Sequence, residues 1–172
     1  RQYLWSKTQF IDEPLEWTGR GLELLIGFLL VAVLILIPFF VMNFYFQALL
    51  LQGQAKLAFM LFLIIFGFIA YLVGIARFRA LRYRLSRPYW HGIRGGSDVQ
   101  GFAYGWSYLW KSVCGTLALG LLIPWSMMTL WNERWNEMTF GPHKFKAAGD
   151  HKTIFIRFFL FYLSPVLFFF VI

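Results

Sequence analysis

Leu24 to Gln47 is a run of 24 residues without a formal charge. At ~1.5 Å per residue a helix of that length reaches roughly 36 Å, enough to cross a ~30 Å hydrocarbon core with some tilt. Pro38 would kink it, which neighbouring helices tolerate. Only 14% of the 172 residues are charged and 59% are hydrophobic, whereas soluble domains carry about 25% charged residues. These features predict an all-α integral membrane protein, a polytopic helical bundle in one membrane domain.

A second uncharged run, Ala58 to Ile75, follows a short connection with Gly53 and Lys56. Then comes "ARFRALRYRLSR", Ala76 to Arg87. Phe78, Leu81 and Leu85 share one helical face there, ringed by arginines, so this piece reads as a helix leaving the bilayer or lying on it. The segment 107–131 has two readings. It is long enough to cross once, but Pro124 lies four residues after Gly120, where its ring and missing N–H break a helix. The alternative is a re-entrant helical hairpin that enters, breaks near Gly120 and returns. A last span starts at Ile154. The expected order is a hairpin at 1–20, spans at 24–47 and 58–75, a basic helix and hairpin at 76–106, the broken segment at 107–131, a hairpin at 132–152, and a span at 154–172. Beginning at Arg1 and stopping inside an apolar run, the chain reads as an excerpt of a longer one.

Three related phrases flank these runs: "YLWSKTQF" from Tyr3, "YRLSRPYW" from Tyr83 and "WNEMTF" from Trp135. An offset of 130 places Trp5 on Trp135, Phe10 on Phe140 and Gly19 on Gly149; an offset of 80 places Tyr3 on Tyr83 and Phe10 on Trp90. Each phrase carries turn residues, at Asp12–Pro14, near Gly92 and at Gly141–Pro142. Three short juxtamembrane β-hairpins in a repeated pattern are expected, with Trp5, Phe10, Trp90, Trp135 and Phe140 as interface anchors. Apart from Lys56, the basic residues lie in or beside these phrases. Basic residues favour the cytoplasmic side, so all three phrases are expected there and Lys56 opposite. That arrangement needs an even number of crossings between the second and third phrases, or none, and so favours the re-entrant reading of 107–131.

"RQYLWSKTQF…WTGRGLELLIGF", "LRYRLSRPYWHGIRGG" and "LALGLLIPW…RWNEMTFG" resemble the YjgN-like bacterial inner-membrane proteins, a domain-of-unknown-function family. The resemblance covers nearly the whole chain. It implies a multi-pass protein of the bacterial inner (cytoplasmic) membrane and a further unit ahead of the first phrase, but no activity. The chain departs from the pattern at Pro88, where threonine is usual, and in its glycines after Arg94.

Chemistry for catalysis is sparse. Cys114 is the only cysteine and reads as a small core residue. His91, His143 and His151 have no metal-ligand spacing; His91 and His143 sit in equivalent turns and could share a metal only if the hairpins converge. Ser6, Ser86 and Ser126 lack a nucleophile-elbow setting, and Gly95-Gly96-Ser97 lacks the companions of a phosphate loop. The carboxylates, Glu133 and Glu137 among them, lie at or outside the spans, where transport and intramembrane hydrolysis do not usually place them. No enzyme activity, metal or cofactor is expected.

Arg77, Arg79, Arg82, Arg84, Arg87 and Arg94 form the strongest functional signal. Each basic residue beside an anionic leaflet contributes about 1 kcal/mol. Lys111 and Arg157 stand about one turn inside their segments, either snorkelling to headgroups or lining a pocket for an anionic head. The leading expectation is an accessory or scaffolding protein that binds anionic lipid and either another membrane protein or a second copy of itself. Nucleic acid is excluded by the closeness of the arginines to a span. A small transporter or channel is the alternative, with Gly120, Pro124, Asn43 and Gln47 along the path; a sensor or assembly factor docking a soluble protein through the hairpins is a third.

Overall fold

A computed structural model describes residues 7–10, 12–14 and 16–171, with side chains described for 7–9, 12, 14 and 16–164. The two uncharged runs become the longest elements. Helix α1, Gly21–Leu51, passes unbroken through Pro38. Helix α2, Ala55–Ser86, returns beside it and takes in the basic segment without a break. Both are long and apolar enough to cross a membrane, by length and composition. Gly53, at φ 73°, makes the tight turn between them, the left-handed geometry that glycine adopts without a steric penalty.

The segment expected to cross once or to turn back is two helices, α3 at Phe102–Leu117 and α4 at Ile123–Asn136. At 1.5 Å per residue they are only ~24 and ~21 Å long. Leu119 and Gly120 take positive φ between them, 53° and 83°. Pro124 occupies the first turn of α4, where a missing N–H costs nothing because that group has no intrahelical partner. The proline thus opens a new helix instead of bending an old one. Helix α5, Lys152–Val171, completes the set of five helices among the described residues. Its Tyr162 hydroxyl donates to the Leu119 carbonyl at 2.8 Å and so ties α5 to the α3–α4 turn.

The strands give the fold its organisation. β1 (Gln9–Phe10) and β2 (Glu13–Pro14) form a two-stranded hairpin with Asp12 at φ 61° in its turn. β3 (Glu16–Trp17) pairs with β4 (Pro88–Trp90), not with that hairpin. β4 turns through His91 and Gly92 into β5 (Ile93–Gly96). The first half of β5 pairs with β4 and its second half with β6 (Thr139–Phe140), which turns into β7 (His143–Lys144). Strands from the second and third phrases, and β3 from just after the first, therefore join one five-stranded antiparallel sheet, β3-β4-β5-β6-β7, while the first phrase's own strand β1 stays in the separate β1-β2 pair. Three separate hairpins were expected. Strands of two to four residues gain little from pairing in isolation, and the shared sheet gives β4, β5 and β6 a neighbour on each side.

Helix α1 leaves this sheet and α2 comes back to it; α3 leaves it and α4 comes back. The core lies where those ends meet: Phe78 and Leu81 of α2, Tyr104 of α3, Leu130 of α4 and Met138, with Leu85, Tyr108 and Trp135 packed around them. Away from the sheet the long pair is bare. Phe28 is 70% exposed and Leu51 91%.

Two asparagines fix the chain between β7 and α5. The Asn132 amide donates to the Gly149 carbonyl at 2.8 Å and its oxygen accepts from the Gly149 N–H at 2.9 Å. One turn further on, Asn136 makes the same pair of bonds with Ala147, at 3.2 and 2.6 Å. Spaced i, i+4 on one face of α4, the two amides act as a surrogate strand edge. Replacing both with alanine is expected to speed amide exchange at Ala147 and Gly149 by tenfold or more, with the α2–α3 amides unchanged, because each lost bond contributes about 1 kcal/mol. Hydrogen exchange read by mass spectrometry checks this.

Candidate functional site

The arginine cluster sits at the sheet end of α2 and on β5, and most of it is engaged. Arg77 lies over the Tyr108 ring of α3, 5.0 Å from its centroid. Arg79 donates to the Gln100 carbonyl at 3.3 Å and covers the Phe102 ring. Arg82 reaches the Val99 carbonyl and the Gln100 side chain, both at 3.4 Å. Together these three hold the start of α3 and the loop before it against α2. Arg87 pairs with Glu23 of α1 at 2.6 Å, lies over the Tyr83 ring, and its carbonyl accepts from both the N–H and the hydroxyl of Thr18. The Tyr83 hydroxyl donates to the same carboxylate at 3.2 Å. This knot closes the base of the α1–α2 pair. Arg84 donates to its own helix at the Ala80 carbonyl, and Arg94 to Tyr89 across the hairpin; both guanidinium groups are exposed.

Lys111 and Arg157 are not brought together on a common cavity. The Lys111 ammonium pairs with Glu133 of α4, and the Ser107 hydroxyl donates to the other carboxylate oxygen at 2.6 Å. Side chains on a helix lean toward its N-terminus, so Lys111 reaches back about one turn to meet a carboxylate near the mouth of the hairpin. Arg157 is exposed on α5 and makes no hydrogen bond or ion pair among the described residues.

Among the aromatic anchors, Trp5 lies outside the described residues, as does the side chain of Phe10. Trp90 is half-buried, its ring 4.7 Å from that of His91. Phe140 is half-buried on β6. Trp135 packs beneath the helices, edge-on to Phe145 at 5.5 Å and beside Trp131 at 5.7 Å. The hairpins do converge, but His91 and His143 are exposed. No group of three or more metal-ligating side chains comes together among the described residues.

A cavity of about 440 Å³ that no sequence pattern announces lies between α2, α3, α4 and the 97–101 loop. Phe78, Val99, Ala103 and Tyr104 form its apolar side; Ser107, Glu133, Asn136 and Glu137 form its polar side. Burial pushes the Tyr104 phenol above its usual pKa, against the lowering influence of Arg134 and Arg77. It is therefore a neutral hydroxyl at physiological pH. The i, i+4 spacing of Glu133 and Glu137 was the one signal available. It marks a shared helix face, but not what that face looks onto. A second hollow of about 260 Å³, between α4 and α5, is lined by apolar residues such as Met127, Trp131 and Phe158, with Pro124 at one end.

A family model described as "Bacterial protein of unknown function (DUF898)" matches residues 1–172. No curated protein and no solved structure matches the chain.

Proposed function

The chain belongs to this bacterial family, DUF898, and from that premise we propose that it is a multi-pass inner-membrane scaffold, not an enzyme, which binds anionic lipid and a second membrane protein. The pooled sheet carries this reading. Strands from the second and third phrases and from just after the first form one plate, from which α1–α2 and α3–α4 rise and to which they return. A plate of that kind holds helices in fixed register on one side of a bilayer. The α1–α2 pair crosses and returns, and α3–α4, too short to cross, is a re-entrant hairpin on the same side. The repeated phrases are read as three copies of the unit that builds the plate. No residue in the most apolar stretch of α1 is buried, and its exposed face is the surface offered to lipid and to the partner protein. Of the eight candidate cations, Arg84, Arg94 and Arg157 are the exposed ones without a tie to another helix or loop and are offered to lipid phosphates, since Arg77, Arg79, Arg82, Arg87 and Lys111 serve contacts between elements.

Single cysteines at Gln9, His91 and His143, placed in a Cys114→Ser background, test the topology. All three are expected to react with an impermeant maleimide only from the cytoplasmic side, and a cysteine at Gln52 only from the periplasm. Labelling of any of the first three from the periplasm ends the proposal.

One observation favours transport as a second reading: an ion pair, Lys111 with Glu133, joins the two arms of a broken hairpin, a setting common in transporters. Proteoliposomes should then show ion or metabolite flux that changes in Lys111→Ala. Absence of flux with the unaltered protein removes that reading.

A further inference from the structure

The cavity between α2, α3 and α4 has a particular chemistry. Glu133 is already engaged by Lys111 and Ser107, and the Asn136 amide by the backbone of Ala147. Glu137, one turn after Glu133, lines the cavity and makes no hydrogen bond or ion pair among the described residues. Nor does the hydroxyl of Tyr104, a residue only 8% exposed overall whose oxygen keeps some open surface. Most tyrosines buried to that extent find a partner for the hydroxyl. Here the hydroxyl belongs to a residue that lines a hollow beside a free carboxylate.

The polar groups left over are acceptors: the Glu137 carboxylate, the spare lone pairs of Glu133 and Ser107, and the Tyr104 oxygen. No arginine or lysine lines the cavity. Arg77 lies over the Tyr108 ring and Arg134 over the Trp131 ring; both act on Tyr104 from outside the wall. An anion would meet two carboxylates in the wall itself and no lysine or arginine. An ammonium group has three donors and no acceptor, so it matches this set, and the rings of Tyr104 and Phe78 add attraction for a cation. The volume is within the range of sites for organic ligands and far exceeds an ammonium ion alone. The remainder of the wall is apolar.

We propose that this cavity binds a primary ammonium carried on an apolar tail, with Glu137 as its counter-charge and Tyr104 as a hydrogen-bonding partner. Two sources share that chemistry: an aminophospholipid from the bilayer and a free alkylamine. The inference is independent of the scaffold reading, because the cavity lies among described side chains whatever surrounds α1.

The test uses the full chain in detergent with two probes. Native mass spectrometry compares retention of phosphatidylethanolamine with that of phosphatidylcholine, whose ammonium has no N–H. Thermal shift measures binding of octylamine. Retention of the ethanolamine lipid at least tenfold above the choline lipid, reduced about tenfold by Glu137→Gln and several-fold by Tyr104→Phe, supports a lipid ligand. Octylamine stabilisation that Glu137→Gln abolishes, without lipid preference, supports a soluble amine. Tenfold corresponds to about 1.4 kcal/mol, in the range of a hydrogen bond to a charged group. Glu137 is exposed, so Glu137→Gln should melt with the unaltered protein. If neither probe binds, or if both bind equally well to folded Glu137→Gln, the proposal is overturned.

Discussion

Gly105→Val is expected to lower the melting temperature by ten degrees or more, or to prevent recovery of folded protein. Helices α2 and α3 cross with two glycines facing. A Cβ on Gly105 would stand 2.7 Å from Ile75 Cγ1 and 3.1 Å from the Tyr71 carbonyl oxygen. A Cβ on Gly74 would meet the Gly105 Cα at 2.9 Å and the Tyr108 Cβ at 2.7 Å. Several of these neighbours are backbone or first side-chain atoms, which cannot swing aside. Overpacking of this kind costs about 1–3 kcal/mol and more when backbone must move. For a chain of this size each kcal/mol shifts the midpoint by roughly 2–4 °C. Separating α2 from α3 would also open the Phe78–Tyr104 core and the Arg77–Tyr108 contact. Gly27→Val is the control, since nothing lies within 4 Å of a Cβ there. Fluorescence-detected gel filtration after heating should show Gly27→Val unchanged beside a collapsed Gly105→Val. Equal melting of the two would mean that α2 and α3 do not cross at this point.

The second large effect is an asymmetry. Glu133→Gln is expected to destabilise the protein by about 2 kcal/mol, and Lys111→Met by less than about 1 kcal/mol. The Lys111 side chain is 16% exposed and that of Glu133 is 42% exposed. Removing the carboxylate leaves an ammonium between two helices with little water to solvate it. Removing the ammonium leaves a carboxylate that still reaches water and still accepts from Ser107, while the methionine fills the space of the lysine stem. The 42% exposure of Glu133 means that solvent screens the pair, which keeps the expected loss well below that of a fully buried ion pair. The double variant should recover most of the loss caused by Glu133→Gln alone. Chemical or thermal denaturation of all four proteins closes the cycle. A larger loss in Lys111→Met than in Glu133→Gln would show that the carboxylate is the dependent partner.

Much of the local structure was legible because its causes are local. Gly53, Gly92, Gly120 and Gly141 mark turns where φ is positive, and a turn needs only its own few residues. The two long helices follow from uninterrupted apolar runs. The break before Pro124 was also legible, because proline acts on its own helix turn. The site was less so. Lys111 and Glu133 are 22 residues apart in sequence, and both read as isolated interfacial charges. The arginines showed a cationic helix end but not that Arg77, Arg79 and Arg82 hold α3 and its leading loop. Nothing in the sequence around Gly74 or Gly105 signals that the two meet.

By itself, then, the sequence determined the two long helices, the positions of several turns, and that α1 and α2 are long and apolar enough to cross a bilayer. The tertiary structure alone decided that strands at 16–17, 88–96 and 139–144 share one sheet, that two glycines meet at a crossing, and which charges are spent on each other. Propensity and hydropathy act over a few neighbouring residues. Pairings across 20 to 70 positions, such as Thr18 with Arg87 and Lys111 with Glu133, arise only when helices of fixed length bring distant residues to the same level.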